Sequence, residues 1–567
     1  MKPLTIAGAC LALSLLTYFQ FPGHSWLQQD SQIYAPILEY LRDPSVLRNE
    51  ILAEKPHVAY TLYDETARAL RAVTGLDFRD VLACEQIVAR AFGIWGLYLM
   101  ALAICLRVRA PAGRADPQTA WAPDPQMTQA PPALLALFIA AICSLGAVVA
   151  GPSVLTFEYE PTPRAFALPL VLCAAGLTVH RRYLAAGIAG AVAFLYHPPT
   201  ALPFLAIYCA LALWPAKSES VRQRIWRLAP LAGAALILEI AARAQAGGGE
   251  AQTFFIRLTP DLERLQRMRA SYNWISDAHA WPPALMAHYA ILFGILLAAF
   301  MRLRREMGFE LRLFLLGLPI IGMLSLPASW LLLDQWRWAL IPQFQPLRCI
   351  LFVTLFAQFL TAVAGVRAAV RRQPFEAIAW FALAYLPPVQ PVMTQPYTFQ
   401  GAAVVLALAL VAWLAIRFGA AREPATLLLG LAAFFAIPGI AGVVNYPHLR
   451  TPELDQLSTW ARSSTPKDAV FQFADIGKGL DPGIFRAQAV RAVYVDWKGG
   501  GQVNYLSGFA EQWWRRWQQT NQNRFKPRDL PKYAALGIRY VVLQPKNRLK
   551  GRTPVFESAK YLAYALP

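Results

Sequence analysis

The sequence predicts an α-helical polytopic membrane protein, with about 13 transmembrane helices and a small C-terminal extracytoplasmic α/β domain. Of its 567 residues, 56% are hydrophobic and only 15% are charged, whereas a soluble domain carries about a quarter charged residues. Its apolar stretches are long enough to cross the hydrocarbon core of a bilayer. Arginine and lysine gather in alternate loops between these stretches, which is the pattern of a chain that crosses a membrane repeatedly.

The basic loops predict the orientation of the chain. Loops rich in Lys and Arg stay on the cytoplasmic side, so the N-terminus is predicted inside and the C-terminus outside. Residues 1–444 then form the transmembrane domain and residues 445–567 the external domain. The basic loops are residues 106–114, 180–182, 217–227, 302–306, 367–372 and 417–422.

The charge balance excludes some classes of partner. The formal net charge is +19, and 17 of the 53 basic residues lie in the six predicted cytoplasmic loops. The external domain is itself basic, which suits anionic lipid head groups. It contains no basic, aromatic-rich nucleic-acid motif, so nucleic acid is not an expected partner. None of the 7 cysteines lies in a CxxC motif or in the external domain, which argues against a disulfide scaffold or a zinc ribbon.

Two external loops are too long to be simple connectors. The first follows a span over residues 3–20 and covers about residues 21–85. It contains a helical pattern that places Ile33, Ile37 and Leu41 on one face, which predicts a helix along the bilayer surface. The other covers about residues 243–283, and its Gly247–Gly249 run beside a short helix predicts a mobile segment.

The external domain alternates strand and helix patterns. Residues 469–474, 491–497 and 539–545 are predicted strands, and residues 511–522 and 527–537 are predicted helices. This alternation is typical of a small α/β domain. The first helix is rich in tryptophan, and because indoles favour the membrane interface, we expect it at the bilayer surface.

Acidic residues beside the spans are scarce, so their positions carry information. Asp30 lies about ten residues after the first span and is a candidate general base for an acceptor hydroxyl. Glu158 and Glu160 lie in the loop 151–164. At positions i and i+2 of an extended segment they would share a face, which suits a divalent cation (Mg²⁺ or Mn²⁺) or a shared substrate. The alternative for all three is a solvated loop carboxylate.

Arginines at the predicted outer ends of the spans form a complementary set. Arg164, Arg337 and Arg348 are candidates to bind a lipid phosphate, because a guanidinium holds phosphate in a bidentate clamp. The alternative is that each arginine side chain only extends to the lipid head groups and has no role in substrate binding. Arg348 follows a proline in FQPLR, which favours a defined placement.

Four further residues are candidates to contact the acceptor or donor. His197 precedes two prolines at a span end, where a histidine bonded to the helix backbone is the favoured alternative. Arg486, Arg491 and Lys498 lie within the segment FRAQAVRAVYVDWKGGG of the external domain, which could form a subsite for a glycan or an anionic acceptor. The alternative is a solvated strand edge and a glycine turn. There is no HExxH, GxSxG, Walker or Rossmann motif, so soluble nucleotide or hydride chemistry finds no support.

The layout resembles the GT-C superfamily of integral-membrane glycosyltransferases, which use polyprenyl-phosphate-linked sugars. The resemblance rests on the span number, the long first external loop with Asp30, the Glu158-Tyr159-Glu160 motif and the external α/β domain. It implies that Asp30 acts in catalysis, that Glu158 and Glu160 occupy the position of an acidic metal motif, and that Arg348 contacts the lipid phosphate. It also implies a bacterial inner (plasma) membrane location.

Two motifs of this sequence differ from those of that family, and they reduce the number of activities that we expect. The external domain has no WWDYG motif, which argues against protein N-glycosylation, and the first acidic motif is QDS, not a paired DD or DE. The resemblance implies an inverting transfer of sugar from a polyprenyl-phosphate donor to an extracytoplasmic glycan, lipid or protein, with Asp30 as base. The alternatives are a transporter or flippase of a lipid-linked glycan, and a non-catalytic assembly protein with a degenerate transferase fold.

Overall fold

A computed structural model describes residues 2–54, 61–108, 131–214, 220–245, 255–389, 398–419, 431–441, 451–505 and 507–567. This part of the chain is mostly helical and ends in a mixed sheet. Five of its helices are long and apolar enough to cross a membrane, and five shorter apolar helices accompany them. It is therefore a multi-pass helical membrane protein. The count of 13 spans, the N-in orientation and the domain boundary at residue 444 stay predictions, and Gly247–Gly249 lie outside the described residues.

The helices are named here in chain order. Those of the N-terminal part are α1 (Pro3–Phe19), α2 (Ser31–Arg42), α3 (Ile51–Glu54), α4 (Thr61–Thr74), α5 (Phe78–Val108), α6 (Pro132–Ser144), α7 (Pro163–Val179), α8 (Tyr183–Tyr196), α9 (Pro198–Leu213), α10 (Val221–Gln245), α11 (Pro260–Arg269), α12 (Pro283–Leu303), α13 (Phe309–Ser329), α14 (Ile341–Phe344), α15 (Leu351–Val370), α16 (Pro374–Tyr385), α17 (Phe399–Phe418), α18 (Ala433–Ala436) and α19 (Pro438–Ala441). Those of the C-terminal domain are α20 (Pro452–Ser464), α21 (Asp481–Ala489), α22 (Ser507–Thr520) and α23 (Leu530–Ala535).

Helix α15 is the centre of the bundle. All of its residues are buried, and α6, α12, α13, α16 and α17 contact it. A helix that is apolar all round is covered by protein or by lipid, and here protein covers every face of α15. The short 3₁₀ helix Pro346–Ile350 leads directly into α15, so it places the preceding residues at one end of the core.

The C-terminal domain confirms the predicted mixed α/β class. Its sheet has the order β4 (Ala492–Val493), β3 (Val470–Phe473), β5 (Tyr540–Leu543), β7 (Leu562–Ala565) and β6 (Phe556–Glu557). Strand β3 is parallel to β4 and β5, since α21 and then α22 and α23 connect them. Strands β6 and β7 were not predicted; β7 is antiparallel to both of its neighbours. A small hairpin, β1 (Val148–Val149) with β2 (Val154–Leu155), precedes α7.

The prediction that α2 lies along the bilayer surface is wrong for its apolar face. Ile33 and Ile37 are each 3% exposed and share a core with Trp513 of the C-terminal domain. Helical periodicity identifies an apolar face, but it does not say whether lipid or protein covers that face. Helix α2 thus joins the membrane part of the chain to the C-terminal domain.

The tryptophan-rich helix α22 is also placed differently from the prediction. Trp513 and Trp517 are buried, and their rings stack 5.7 Å apart. Both rings also contact the Trp497 ring. Because aromatic rings bury large apolar areas, this cluster stabilises the domain core in place of an anchor at the membrane.

Candidate functional site

A cavity of about 520 Å³ lies between the helical bundle and the C-terminal domain. Its volume falls within the range of small-molecule sites. Its walls come from the start of α2, the β1–β2 hairpin, the turn before α7, the 3₁₀ helix before α15 and the loop after β4. The sequence-predicted residues that line it are Asp30, Glu158, Glu160, Arg164, His197, Arg348 and Lys498.

Asp30 bridges the two parts of the chain through ion pairs. Its Oδ1 lies 2.8 Å from Nζ of Lys498, and its Oδ2 lies 3.2 Å from a guanidinium nitrogen of Arg164. Burial alone would raise the pKa of Asp30, but the charges of Lys498 and Arg164 outweigh it and hold that pKa well below the ordinary value. Asp30 is therefore a carboxylate throughout the physiological range, with 28% of its side chain exposed to the cavity.

Glu160 fixes the backbone turn on which Asp30 stands. Its Oε1 accepts hydrogen bonds from the backbone N–H groups of Gln28 (2.8 Å) and Gln29 (2.6 Å) and from Oγ of Ser31 (2.9 Å). Its Oε2 accepts from the backbone N–H of Ser31 at 3.2 Å. Four donors on one buried carboxylate leave the turn little freedom. The two acidic motifs of the sequence thus meet, although 130 residues separate Asp30 from Glu160 in the chain.

Glu158 serves a different partner. Its Oε1 accepts from Nε of Arg164 at 2.6 Å, and its backbone carbonyl accepts from Arg90 at 2.6 Å and from Gln86 at 2.8 Å. Arg164 follows the proline that begins α7, so the helix start and the ion pair together orient its guanidinium. The result is a chain of charges, Glu158, Arg164, Asp30 and Lys498, across one wall of the cavity.

The predicted divalent cation does not fit this arrangement. Residues 156–160 form bends, not an extended strand, so the side chains of Glu158 and Glu160 turn to separate partners. Glu160 is saturated by hydrogen-bond donors, and Glu158 is paired with Arg164. Within the described residues, no group of three His, Cys, Asp or Glu side chains is placed to hold a metal ion. The chemistry below is therefore derived from the side chains alone.

Arg348 lines the cavity and, like Arg269, forms no ion pair in the described part of the chain. Its Nε is buried without a hydrogen-bond partner, and the residues that the structure describes offer it no ion pair. Its charge is close enough to lower the pKa of Asp30. A buried guanidinium nitrogen without a partner costs free energy unless a ligand satisfies it. Arg348 lies at the start of the central helix, so an anion bound there would sit at one end of the apolar core.

Other predicted candidates lie elsewhere. Arg337 is outside the cavity, 53% exposed, and pairs with Glu263 at 3.0 Å. Arg491 is buried and donates to the backbone carbonyls of Arg462 and Thr465, each at 2.8 Å. The predicted phosphate contact of Arg337 and the predicted substrate contact of Arg491 are thus not supported, because local partners already engage both guanidinium groups. His197 does line the cavity, and its Nδ1 accepts from the backbone N–H of Thr200 at 3.2 Å, the kind of contact that the structural alternative expects.

Arg486 also lies outside the cavity, but it helps to position two residues that line it, Lys498 and Asp30. It is fully buried and donates to Asp496 Oδ1 at 2.6 Å and to the carbonyl of Gln32 at 3.1 Å. Asp496 Oδ2 in turn accepts from the backbone N–H of Gly499 at 3.1 Å. Because this network joins the turn that carries Lys498 to helix α2, it fixes the position of Lys498 relative to Asp30.

The structure adds lining residues that the sequence reasoning missed. Tyr34 lies four residues after Asp30, so helical spacing could have placed it on the same face. Arg269, at the end of α11, stacks 3.9 Å over the Trp497 ring; burial lowers the pKa of Arg269 to about 10, which leaves it a cation at neutral pH. Gln345 has a φ of 46°, an unusual backbone conformation for a residue with a side chain and one that often marks functional sites. No local signal indicates Arg269 or Gln345.

Replacing Glu160 with alanine is expected to destabilise the protein by about 2–4 kcal/mol, because four donors at the Asp30 turn lose their acceptor in a buried place. Thermal unfolding of the purified full-length chain measures this loss. Glu557→Ala is the control, since that side chain is 52% exposed and should change stability by about 0.5 kcal/mol or less. Equal stability of Glu160→Ala and the wild type would contradict the role assigned to Glu160.

The lowered pKa of Asp30 predicts a specific pH dependence of stability. A carboxyl whose pKa is lower in the folded state stabilises it above the unfolded value, about 3.9, and loses that contribution as the pH falls toward the folded value. The stability difference between the wild type and Asp30→Asn should therefore stay constant from about pH 8 to 5 and shrink below about pH 4. Unfolding curves across this range test it. A difference that already shrinks between pH 7 and 6 would mean that the pKa is raised.

Comparison with known proteins adds the following. A family model described as a domain of unknown function (DUF6798) matches residues 452–520, which cover α20 to α22. Comparison with curated proteins gives no match. Among solved structures, the chain is similar to ArnT from Cupriavidus metallidurans in the apo state, with a TM-score of 0.46 and 11% sequence identity, over 99% of this chain and 97% of that chain.

Proposed function

We propose that this protein is an inverting membrane glycosyltransferase, which moves a sugar from a polyprenyl-phosphate-linked donor to an extracytoplasmic acceptor. One observation carries the proposal: a carboxylate, Asp30, and a cation that forms no ion pair in the described chain, Arg348, line the same cavity. Glycosyl transfer from a lipid phosphate needs a group of each kind, one to accept a proton and one to stabilise the departing phosphate.

The position of the cavity favours a lipid-linked donor. Arg164 stands at the start of α7 and Arg348 just before α15, and both helices are apolar. A phosphate bound by Arg348 would therefore lie at the boundary of the hydrocarbon, where the polyprenyl chain of the same molecule can run along the bundle. A water-soluble donor would gain nothing from this placement.

The proposed step is a direct displacement. The acceptor oxygen forms a bond to the anomeric carbon while the bond from that carbon to the phosphate oxygen breaks. Polyprenyl phosphate leaves with the bonding electron pair, and Arg348 stabilises its charge. The acceptor proton passes to the carboxylate of Asp30. Entry of the anionic donor draws Lys498 and Arg164 toward the phosphate, which weakens their hold on Asp30 and raises its basicity.

Transfer assays with purified full-length protein in proteoliposomes test the proposal. The probes are synthetic polyprenyl-phosphate hexoses and pentoses with a labelled sugar, offered together with a membrane glycolipid extract. We expect label in the acceptor fraction and stoichiometric release of polyprenyl phosphate. Movement of intact labelled lipid across the bilayer without release would support the flippase alternative. Neither movement nor release with any probe would favour the non-catalytic assembly protein.

A further inference from the structure

A second cleft, of about 580 Å³, lies on the other side of helix α2 from the candidate active site. Ile33 and Tyr34 of α2 face the first cavity, whereas Ala35 and Glu39 face this cleft. Its remaining walls are the turn from α4 to α5 and helices α20 and α21 of the C-terminal domain. The cleft is thus a separate space with its own lining.

Three arginines line this cleft without an ion pair in the part of the chain that the structure describes. Arg71, Arg79 and Arg462 form no ion pair with any residue that the structure describes, and one terminal guanidinium nitrogen of Arg71 is buried with no hydrogen-bond partner. The guanidinium of Arg71 is held 4.6 Å from the centre of the Phe78 ring, so its position is defined. Cations that converge without partners favour an anionic ligand.

The carboxylates of the cleft already have partners. Glu39 pairs with Arg42 at 2.8 Å. Asp77 Oδ1 accepts from the backbone N–H of Asp80 at 3.0 Å, at the start of α5, and Asp455 Oδ1 accepts from Gln488 at 2.8 Å. None of these carboxylates forms an ion pair with Arg71, Arg79 or Arg462 in the described part of the chain, so the three guanidinium groups stay available to an anionic ligand.

The mouth of the cleft has the character of a membrane surface. Next to Arg71, the apolar side chains Leu70, Val73 and Leu76 are 39%, 86% and 41% exposed. Tyr63 and Ala67 lie on the same helical face as Leu70 but nearer the start of α4, and both are buried, so this apolar face becomes exposed only toward the end of the helix. The apolar membrane helix α5 begins at Phe78, directly after this segment. Exposed apolar residues beside arginines at the start of a span are typical of the head-group layer.

We propose that this cleft binds the phosphate head group of a membrane lipid, with Arg71, Arg79 and Arg462 around the phosphate and the acyl chains beside Leu70 and Val73. The lipid origin follows from the exposed apolar side chains at the end of α4 and in the turn after it, which a free phosphate would leave uncovered. The inference does not depend on the proposed transferase activity, because none of these arginines lines the first cavity.

Lipid titration of the full-length protein tests the proposal. Detergent micelles are doped with increasing mole fractions of phosphatidic acid, and the melting temperature is followed; phosphatidylcholine serves as the zwitterionic reference. We expect phosphatidic acid to raise the melting temperature of the wild type, and the double variant Arg71→Gln/Arg462→Gln to need at least tenfold more lipid for half of that rise. The matched control is Arg552→Gln, an exposed arginine with no ion pair in the described chain, which should titrate like the wild type.

Two results would overturn the proposal. One is an unchanged lipid dependence in the double variant. The other is an equal thermal shift with inorganic phosphate alone, which would make this a site for a free anion. If the double variant does not fold, the lipid titration is carried out with Arg462→Gln alone. Arg462 is exposed at the rim of the cleft, so its replacement leaves the buried contacts of α4 intact. An unchanged titration in that variant would likewise contradict the proposal.

Discussion

Replacing Asp30 with asparagine is expected to lower the turnover number for sugar transfer at least about 100-fold, the contribution typical of a general base. Asparagine keeps the size of the side chain but cannot accept the acceptor proton. It also removes the negative charge between Lys498 and Arg164, which lie 2.8 and 3.2 Å away. Initial rates with the donor that proves active in the transfer assay measure the effect.

The control for this variant is Asp468→Asn in the C-terminal domain. The Asp468 side chain is 49% exposed, and no residue that lines the cavity is close to it in the sequence. It should transfer sugar at the wild-type rate. If Asp30→Asn folds, binds polyprenyl phosphate and still turns over at the wild-type rate, Asp30 is not the base and the proposed step is wrong.

Arg348→Gln should weaken binding of the lipid phosphate by about tenfold to a hundredfold, because a hydrogen bond to a charged group contributes about 1.5–3 kcal/mol. In the wild type the Nε of Arg348 is buried and unsatisfied, so the phosphate would gain a partner that has no competing contact. We expect KM for the donor to rise, and turnover to fall as well, since the same guanidinium stabilises the leaving group. Binding of undecaprenyl phosphate measures the first effect without catalysis.

Arg337→Gln is the matched control for that experiment. Arg337 was also a candidate in the sequence, but its guanidinium is outside the cavity and pairs with Glu263 at 3.0 Å. Its replacement should leave undecaprenyl phosphate binding unchanged. If both variants bind the lipid as tightly as the wild type, the phosphate site is not at Arg348.

Part of the candidate site could be predicted from the sequence, because a membrane restricts which residues occur beside apolar spans. Acidic side chains beside apolar spans are rare, so Asp30, Glu158 and Glu160 stood out, and the structure places all three around one cavity. Their roles stay predictions. The expectation of a shared cation assumed an extended backbone at residues 158–160, whereas the structure has no strand there. The hydrogen bonds that Glu160 makes depend on a segment more than 120 residues away, which spacing does not reveal.

The remaining features of the site could not be predicted from the sequence, because they depend on contacts between segments that are far apart in the chain. Arg337, Arg348 and Arg486 look alike as basic residues near apolar sequence, and only the folded chain shows that one lacks a partner while the others are paired. The same holds for Ile33 and Trp513, whose apolar patterns fit lipid and protein equally well. Periodicity reports how much of a helix avoids water, not what covers it.

The supply of Lys498 from the C-terminal domain has a consequence for biosynthesis. A nascent chain that has inserted its helices already presents Asp30 and Arg164, but the lysine that completes the charged wall is almost 70 residues from the C-terminus. A product that terminates before residue 498 therefore lacks one charge of this wall, however well its membrane part folds. Synthesis itself thus separates insertion of the helices from completion of the charged wall.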